Sequence, residues 1–287
     1  MTRGPGTGTT PLMTTTLRPT EPLQRAADGT LSRHYNVCVN SRPVGAIHLA
    51  TRPGTGPSGS VAEIRALSVD EPDRRRGRAT VAALAAEEVA RGWGCRRIEA
   101  SVPAAAEGAL GLATVLGYVL RNRGMEKKLG AVPPALPEGS RPRPMTEEEY
   151  SSWYAATRES YARSWIERGV PEAEAYAKAQ RDHERLLPQG PATEGTRLAV
   201  LEHGGEPVGL LWLAPRDGVS FVYKVETYPR HRGRGHGRTL MRLAERLAAE
   251  EGLDRVGLNV FAGNTAAERL YESLGYETVV HHLYKPL

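Results

Sequence analysis

The chain has 287 residues and a mass of 31.2 kDa, about twice the usual domain length of ~100–150 residues. It is 40% hydrophobic and 25% charged, which argues against a disordered chain. No run approaches the ~18 apolar residues that cross a bilayer, and the first residues lack the apolar core of a secretion signal. Two cysteines, Cys38 and Cys95, argue against a disulfide scaffold or a cysteine-rich metal site and point to a reducing cytoplasm. The net charge of +5 is uneven. Residues 1–131 hold 18 Lys and Arg against 11 Asp and Glu, whereas residues 132–287 hold 20 against 22. A basic half suits either nucleic acid or a pocket for a phosphorylated ligand.

In chain order, residues 1–16 are rich in Gly, Pro and Thr and predict a disordered tail. A first domain spans 17–131. It holds a strand at Glu63–Val69, a basic loop at Arg74–Ala79 and a helix at Val81–Gly92. A strand at Arg96–Val102, a helix at Glu107–Leu116 and a strand at Tyr118–Leu129 follow. Pro133, Pro134, Pro137, Pro142 and Pro144 exclude a helix interior or a central strand, so 132–143 reads as a linker. A second domain, 144–287, opens with helical stretches at Glu147–Glu159 and Pro171–Leu187. It continues with a strand at Ser220–Thr227, a Gly/Arg loop and a helix at Thr239–Glu251. Its last elements are a strand at Arg255–Val260, a helix at Thr265–Leu274 ended by Gly275, and a strand at Glu277–Tyr284. Gly117-Tyr118 matches Gly275-Tyr276, a period of 158 residues. So long a period means two homologous domains rather than a solenoid.

The loop Arg230–Arg238 reads RHRGRGHGR. Gly233, Gly235 and Gly237 permit φ > 0 and a close approach of backbone to ligand. Successive N–H groups then form an anion nest, completed by the helix that follows. Arg232, Arg234 and Arg238 add charge suited to a pyrophosphate, and His231 and His236 belong to the same nest. The spacing is wrong for a Rossmann fingerprint, and no Walker loop is present. Taken alone, the loop also suits a solvated basic turn.

Arg232-x-x-Gly235-x-Gly237 combines with Asn264-x-x-Ala267-x-x-Leu270-Tyr271 and Gly275-Tyr276, after the strand end Val225-Glu226-Thr227-Tyr228-Pro229. From Pro144 to Leu287 this combination resembles the GNAT superfamily of acyl-CoA-dependent N-acetyltransferases. The tandem layout is similar to that of the mycothiol synthases, without a motif that carries acceptor specificity across. The resemblance implies an α/β (α+β) fold of two GNAT domains, each a mixed, mostly antiparallel twisted sheet flanked by helices. Acetyl-CoA is implied as cosubstrate, lying in a splay between strands Ser220–Thr227 and Arg255–Val260. Its pyrophosphate would rest on Arg232, Gly233, Arg234, Gly235, His236, Gly237 and Arg238. Backbone groups at Val225 and Thr227 would hold the pantetheine arm and polarise the thioester, and Asn264 would contact the arm. An amine attacks, a tetrahedral intermediate collapses, and Tyr271 protonates the departing sulfur. Glu226 is the candidate base, acting through water, because an amine of pKa ~10 is protonated at neutral pH.

The implied partner is a small-molecule primary amine, with no metal, no nucleic acid and no membrane, in a monomer or homodimer. The alternatives are an acyl-CoA-binding pseudoenzyme or regulatory module, and an acetyltransferase for protein amines. The first half departs from the pattern. Ala113 and Ala106 stand where Tyr271 and Asn264 stand in the second half. Its loop, Arg74-x-x-Gly77-x-Ala79, has fewer glycines and one residue fewer after Pro72, and suits either acetyl-CoA or solvent. Between Leu17 and Tyr35 there is little room for acceptor-site helices, so this half is expected to be structural or to wall the cleft. Trp153, Tyr154, Tyr161 and Trp165 form a largely core stripe, with one or two residues facing an acceptor. Glu147, Glu148, Glu149 and Glu159 read as a solvated helix face that attracts an amine at most weakly. Of His281 and His282, one is expected to face the core.

Overall fold

Thirteen strands join into one twisted sheet in the computed structural model of the chain, which describes residues 14–52 and 61–287. β1 (Thr15–Pro19), β2 (Gln24–Arg25), β3 (Leu31–Val39), β4 (Arg42–Arg52) and β5 (Val61–Val69) are antiparallel neighbours. α1 (Arg78–Gly92) crosses to β6 (Arg97–Pro103), which lies parallel to β5, and α2 (Glu107–Val115) leads to β7 (Val119–Lys128). The second half opens with β8 (Ser140–Pro144), α3 (Glu147–Ile166) and α4 (Glu172–Leu186). It continues through β9 (Arg197–His203), β10 (Glu206–Arg216), β11 (Val219–Thr227), α5 (His236–Glu250), β12 (Arg255–Phe261), α6 (Thr265–Ser273) and β13 (Glu277–Pro286). From β5 onward each strand and α-helix of the first half recurs 158 residues later with the same bounds.

The order across the sheet is β1-β3-β4-β5-β6-β13-β7-β12-β11-β10-β9-β8. The last strands are therefore exchanged. β13 enters the first half between β6 and β7, and β7 enters the second half between β13 and β12. Each core is completed by the other half. Met125 of β7 packs with Leu240, Leu243 and Leu258, and Leu283 of β13 packs with Ala86, Ile98 and Tyr118. Two buried ion pairs lock the exchange. Lys127 Nζ donates to Glu245 at 2.7 Å, and Lys285 Nζ donates to Glu87 at 2.7 Å; Lys285 is the repeat of Lys127, 158 residues later, and Glu87 the repeat of Glu245, 158 residues earlier. Glu245 and Glu87 are only 3% and 2% exposed, so neither carboxylate has water to replace its lysine.

Alternation along β10 separates two layers. Leu211 and Leu213 face α5, whereas Leu210 and Trp212 face Trp153 of α3. α1, α2, α5 and α6 thus cover one sheet face, and α3 with α4 cover the other over the second half. Among the described residues no helix is long and apolar enough to cross a membrane.

Three boundaries differ from the sequence reading. The expected tail lies mostly outside the described residues, but Thr15 and Thr16 pair with β3. The end of the expected linker, from Ser140, is strand β8. Its prolines fit because, among the described residues, it is the sheet's edge and pairs only with β9. The two basic loops are equal in length: Pro72 occupies the place of Arg230, and Gly77 and Gly235 coincide as left-handed residues before α1 and α5.

Replacing Lys127 with Ala strands the Glu245 carboxylate, so urea denaturation should show a loss of about 3 kcal/mol. The double variant Lys127→Met, Glu245→Leu should recover most of it. A single-variant loss below about 1 kcal/mol would show that the ion pair does not hold the exchange.

Candidate active site

Parallel pairing of β11 with β12 runs only through Ser220–Val256, Phe221–Gly257 and Val222–Leu258. A bulge at Tyr223, against β10, turns the rest of β11 away. Beyond it the strands diverge, leaving Lys224 to Thr227 without partners on β12. The gap opens into a cleft of about 1340 Å³. The bulge recurs at Arg65 of β5, so the first half has the same splay.

Of the twelve residues that the sequence assigns to cosubstrate binding and catalysis, eleven meet at this cleft. Val225, Glu226 and Thr227 line it from β11, Arg232, Gly233 and Gly235 from the loop, and His236, Gly237 and Arg238 from α5. Asn264 and Tyr271 line it from the α6 side. Arg234 is exposed and lies outside the lining. α5 starts at His236, three residues earlier than expected, because Gly235 at φ 85° serves as a cap without a side chain. The first-turn N–H groups of α5 therefore lack side-chain partners at the cleft. Gly233 is also left-handed, with open space around it. Gly237 differs from expectation. It is helical, and a Cβ there would lie 3.2 Å from the Leu270 side chain, so a larger residue would have to push Leu270 aside where α5 packs on α6.

Arg232 Nε donates to the Thr227 carbonyl at 3.2 Å, and Arg238 donates to Ser273 Oγ at 2.7 Å, which fixes both guanidinium groups at the rim. His236 meets the His203 ring at a tilt and the His231 ring edge-on, at 5.1 and 6.1 Å between ring centroids. Burial, and then the neighbouring His203, His231 and Arg234, lower its pKa. His231 itself is buried under the loop, where Arg230 Nε donates to its Nε2 at 3.1 Å.

Tyr271 is 7% exposed, and burial pushes its phenol up to about 12. Asn264 caps α6, its Oδ1 accepting from Ala267 N at 3.3 Å, and the residue lines the cleft. Glu226 lies 3.4 Å from Lys224. α3 forms the opposite wall with Glu148, Glu149, Ser152, Trp153, Thr157 and Ser160. Of the aromatic stripe, only Trp153 reaches this cleft; Trp165 is core, and Tyr154 and Tyr161 are half-buried. His281 and His282 are both half-buried and outside the cleft, with His282 Nδ1 2.9 Å from Ser101 Oγ.

The sequence reading missed Lys224 and Ser160, which touch at 3.5 Å. Lys224 was accessible to it: two residues from Glu226 on a strand, it shares that face. Ser160 had no signal beyond its seven-residue spacing from Trp153.

The chain belongs to the acetyltransferase (GNAT) family, whose pattern it matches over residues 10–118 and again over 150–276. It is 30% identical over 286 residues to the mycothiol acetyltransferase of Beutenbergia cavernae, covering 90% of each chain. It is also 30% identical over 138 residues to the uncharacterized N-acetyltransferase YdgE of Bacillus subtilis, covering 46% of this chain and 88% of that one. Among solved structures, the GCN5-related N-acetyltransferase of Sphaerobacter thermophilus shares the fold, with a TM-score of 0.58 at 19% identity over 88% of this chain and 80% of that one.

The α3 wall begins at a charged anchor. Arg143 donates to both Glu149 oxygens at 2.7 Å, and Glu149 also closes a capping box with Thr146. Hydrogen bonds from Arg143, against a smaller desolvation cost, hold the Glu149 carboxyl at about 2, below its ordinary 4.5. A carboxyl depressed in the folded state stabilises fully above its unfolded pKa and loses that contribution as pH falls through its folded pKa. The cost of Arg143→Ala in chemical denaturation should therefore be full at pH 7 and shrink between about pH 4.5 and about pH 2. A cost that stays constant over that window would separate Arg143 from Glu149.

Proposed function

We propose that the second half is an acetyl-CoA-dependent N-acetyltransferase that acetylates a primary amine of a small molecule by direct attack. The observation that carries this is the meeting, in one cleft, of an anion nest at the start of α5 and a buried phenol at the diverging strands. The residues fit the cosubstrate. Left-handed Gly233 and Gly235 leave open space for phosphate oxygens, and Arg232 and Arg238 supply fixed positive charge at the rim.

Acetyl-CoA supplies the activated acyl group. The unpaired end of β11, at Val225 and Thr227, offers backbone groups to the pantetheine arm and the thioester carbonyl. Asn264 offers its amide nitrogen to the same arm. Glu226 takes the amine proton through water. Tyr271 holds its proton throughout the neutral range, since burial raises its pKa, and delivers it to the leaving sulfur. The α3 wall receives the acceptor body. The likeness to enzymes named mycothiol acetyltransferase over 90% of the chain supports a small-molecule acceptor. The first half, with Ala113 and Ala106 in place of the acid and the amide, serves as support.

Tyr271→Phe should lower acetyl-CoA turnover with a primary-amine panel by about 100-fold or more. The acetyl-CoA Kd should stay within about twofold, since the nest is untouched. Turnover equal to wild type would remove Tyr271 as the acid.

A further inference from the structure

We infer that Arg121 and Arg97 of the first half are positioning residues for the acceptor wall of the second, held ready by the buried carboxylate of Glu99. The inference rests on the site proposed above. Glu99, on β6, is 6% exposed. Its oxygens meet Arg121 at 2.6 Å, Arg97 at 3.2 Å and Arg52. Burial opposes its ionised form, but the three guanidinium groups outweigh burial and keep its carboxyl below the ordinary range.

Three cations on one carboxylate leave charge to spend elsewhere, and two of them reach across to the helical wall. Arg97 Nη2 lies 3.5 Å from Glu174, in the first turn of α4. The Arg121 guanidinium lies 5.1 Å from the ring centroid of Trp165, in the last turn of α3, where a planar cation over an indole face is favourable. Trp165 in turn meets Phe261, the last residue of β12, edge-on at 5.9 Å. The hub therefore grips the wall at the turn between α3 and α4.

From there α3 runs back along the cleft. One turn and a half before Trp165, Ser160 Oγ accepts from Lys224 Nζ at 3.5 Å, and Lys224 lies 3.4 Å from Glu226, the candidate base. Side-chain contacts thus join Glu99 to Trp165 at one end of this path and Ser160 to Glu226 at the other, with the backbone of α3 between them. The repeat shows that the hub is not inherited with the fold. At an offset of 158 residues, Gly257 and Val279 stand where Glu99 and Arg121 stand in the first half. The hub occurs on the side that faces the wall. The cosubstrate nest, on α5 and α6, touches none of it.

Hydrogen–deuterium exchange of the full chain, read with kinetics on a panel of glucosamine, tyramine and spermidine, tests this. Arg121→Ala should speed exchange across α3, but not α5, by about tenfold and raise the amine KM by about tenfold. The acetyl-CoA Kd should stay within about twofold and kcat within about threefold. Arg121→Lys, which keeps the charge at Glu99 but loses the planar face over Trp165, should fall between. If Arg121→Ala does not fold, Glu174→Gln, which leaves all three arginines on Glu99, carries the same expectation at smaller size. Wild-type protein that binds no acetyl-CoA would overturn the proposed site and this inference with it. Intact binding with unchanged α3 exchange and unchanged KM in the folded variants would overturn the inference alone.

Discussion

The exchange of final strands is the constraint on which the rest of the molecule depends. β12 would lack a neighbour on one side without β7, and β6 would lack one without β13. The stabilisation involved is both apolar and ionic. Met125 and Leu283, 1% and 2% exposed, fill cores that belong mainly to the other half. Burying each contributes on the order of 2 kcal/mol. Lys127 and Lys285 neutralise buried carboxylates across the same seam. These contacts join residues far apart in sequence, up to 198 positions for Lys285 and Glu87. A chain closed by such long-range pairing orders both halves together.

This arrangement gives the first half, which has Ala113 where the second half has Tyr271, a physical role. The first half holds β7 against β12, and it reaches α3 and α4 through Arg121 and Arg97. Its basic excess is also redistributed. Arg52, Arg97 and Arg121 surround Glu99, and Arg42 holds Asp73 at 2.8 Å. In its loop, Arg74 donates to the Val69 carbonyl, as Arg232 does to Thr227. Arg75 occupies the left-handed position of Gly233, at φ 58°. A non-glycine residue there is held at some cost in strain, so the loop keeps the nest's shape without its glycine. Several of the arginines behind the basic excess are thus engaged by carboxylates or carbonyls of the same half.

The sequence carried the period of 158 residues, the Gly/Arg loop, and a spacing of Tyr271 and Asn264 that brings both to the cleft, because each depends on local chemistry. It did not carry the exchange. Strand alternation says which residues share a face but not which strand lies alongside, and β7 and β13 are repeats of each other. The early start of α5 was hidden because Gly235 caps without a side chain. Gly237 lines the cleft and also packs close to Leu270, a contact that only the fold reveals. Pro72, displaced by one position against Pro229, suggested a shorter loop than the backbone has. Glu99 gave no signal at all: its three arginines come from β4, β6 and β7, and only the fold brings them together.

Cutting the chain tests the interlocking most directly. The segment 129–139 joins β7 to β8, and Val132 there is 84% exposed, so a protease recognition sequence inserted after Val132 leaves every strand intact. If the halves hold each other's closing strands, the two fragments co-elute as one species on size exclusion after cleavage, keep the melting temperature of the uncut chain to within a few degrees, and separate only in denaturant. Fragments that part under native conditions, each folded, would contradict the exchange.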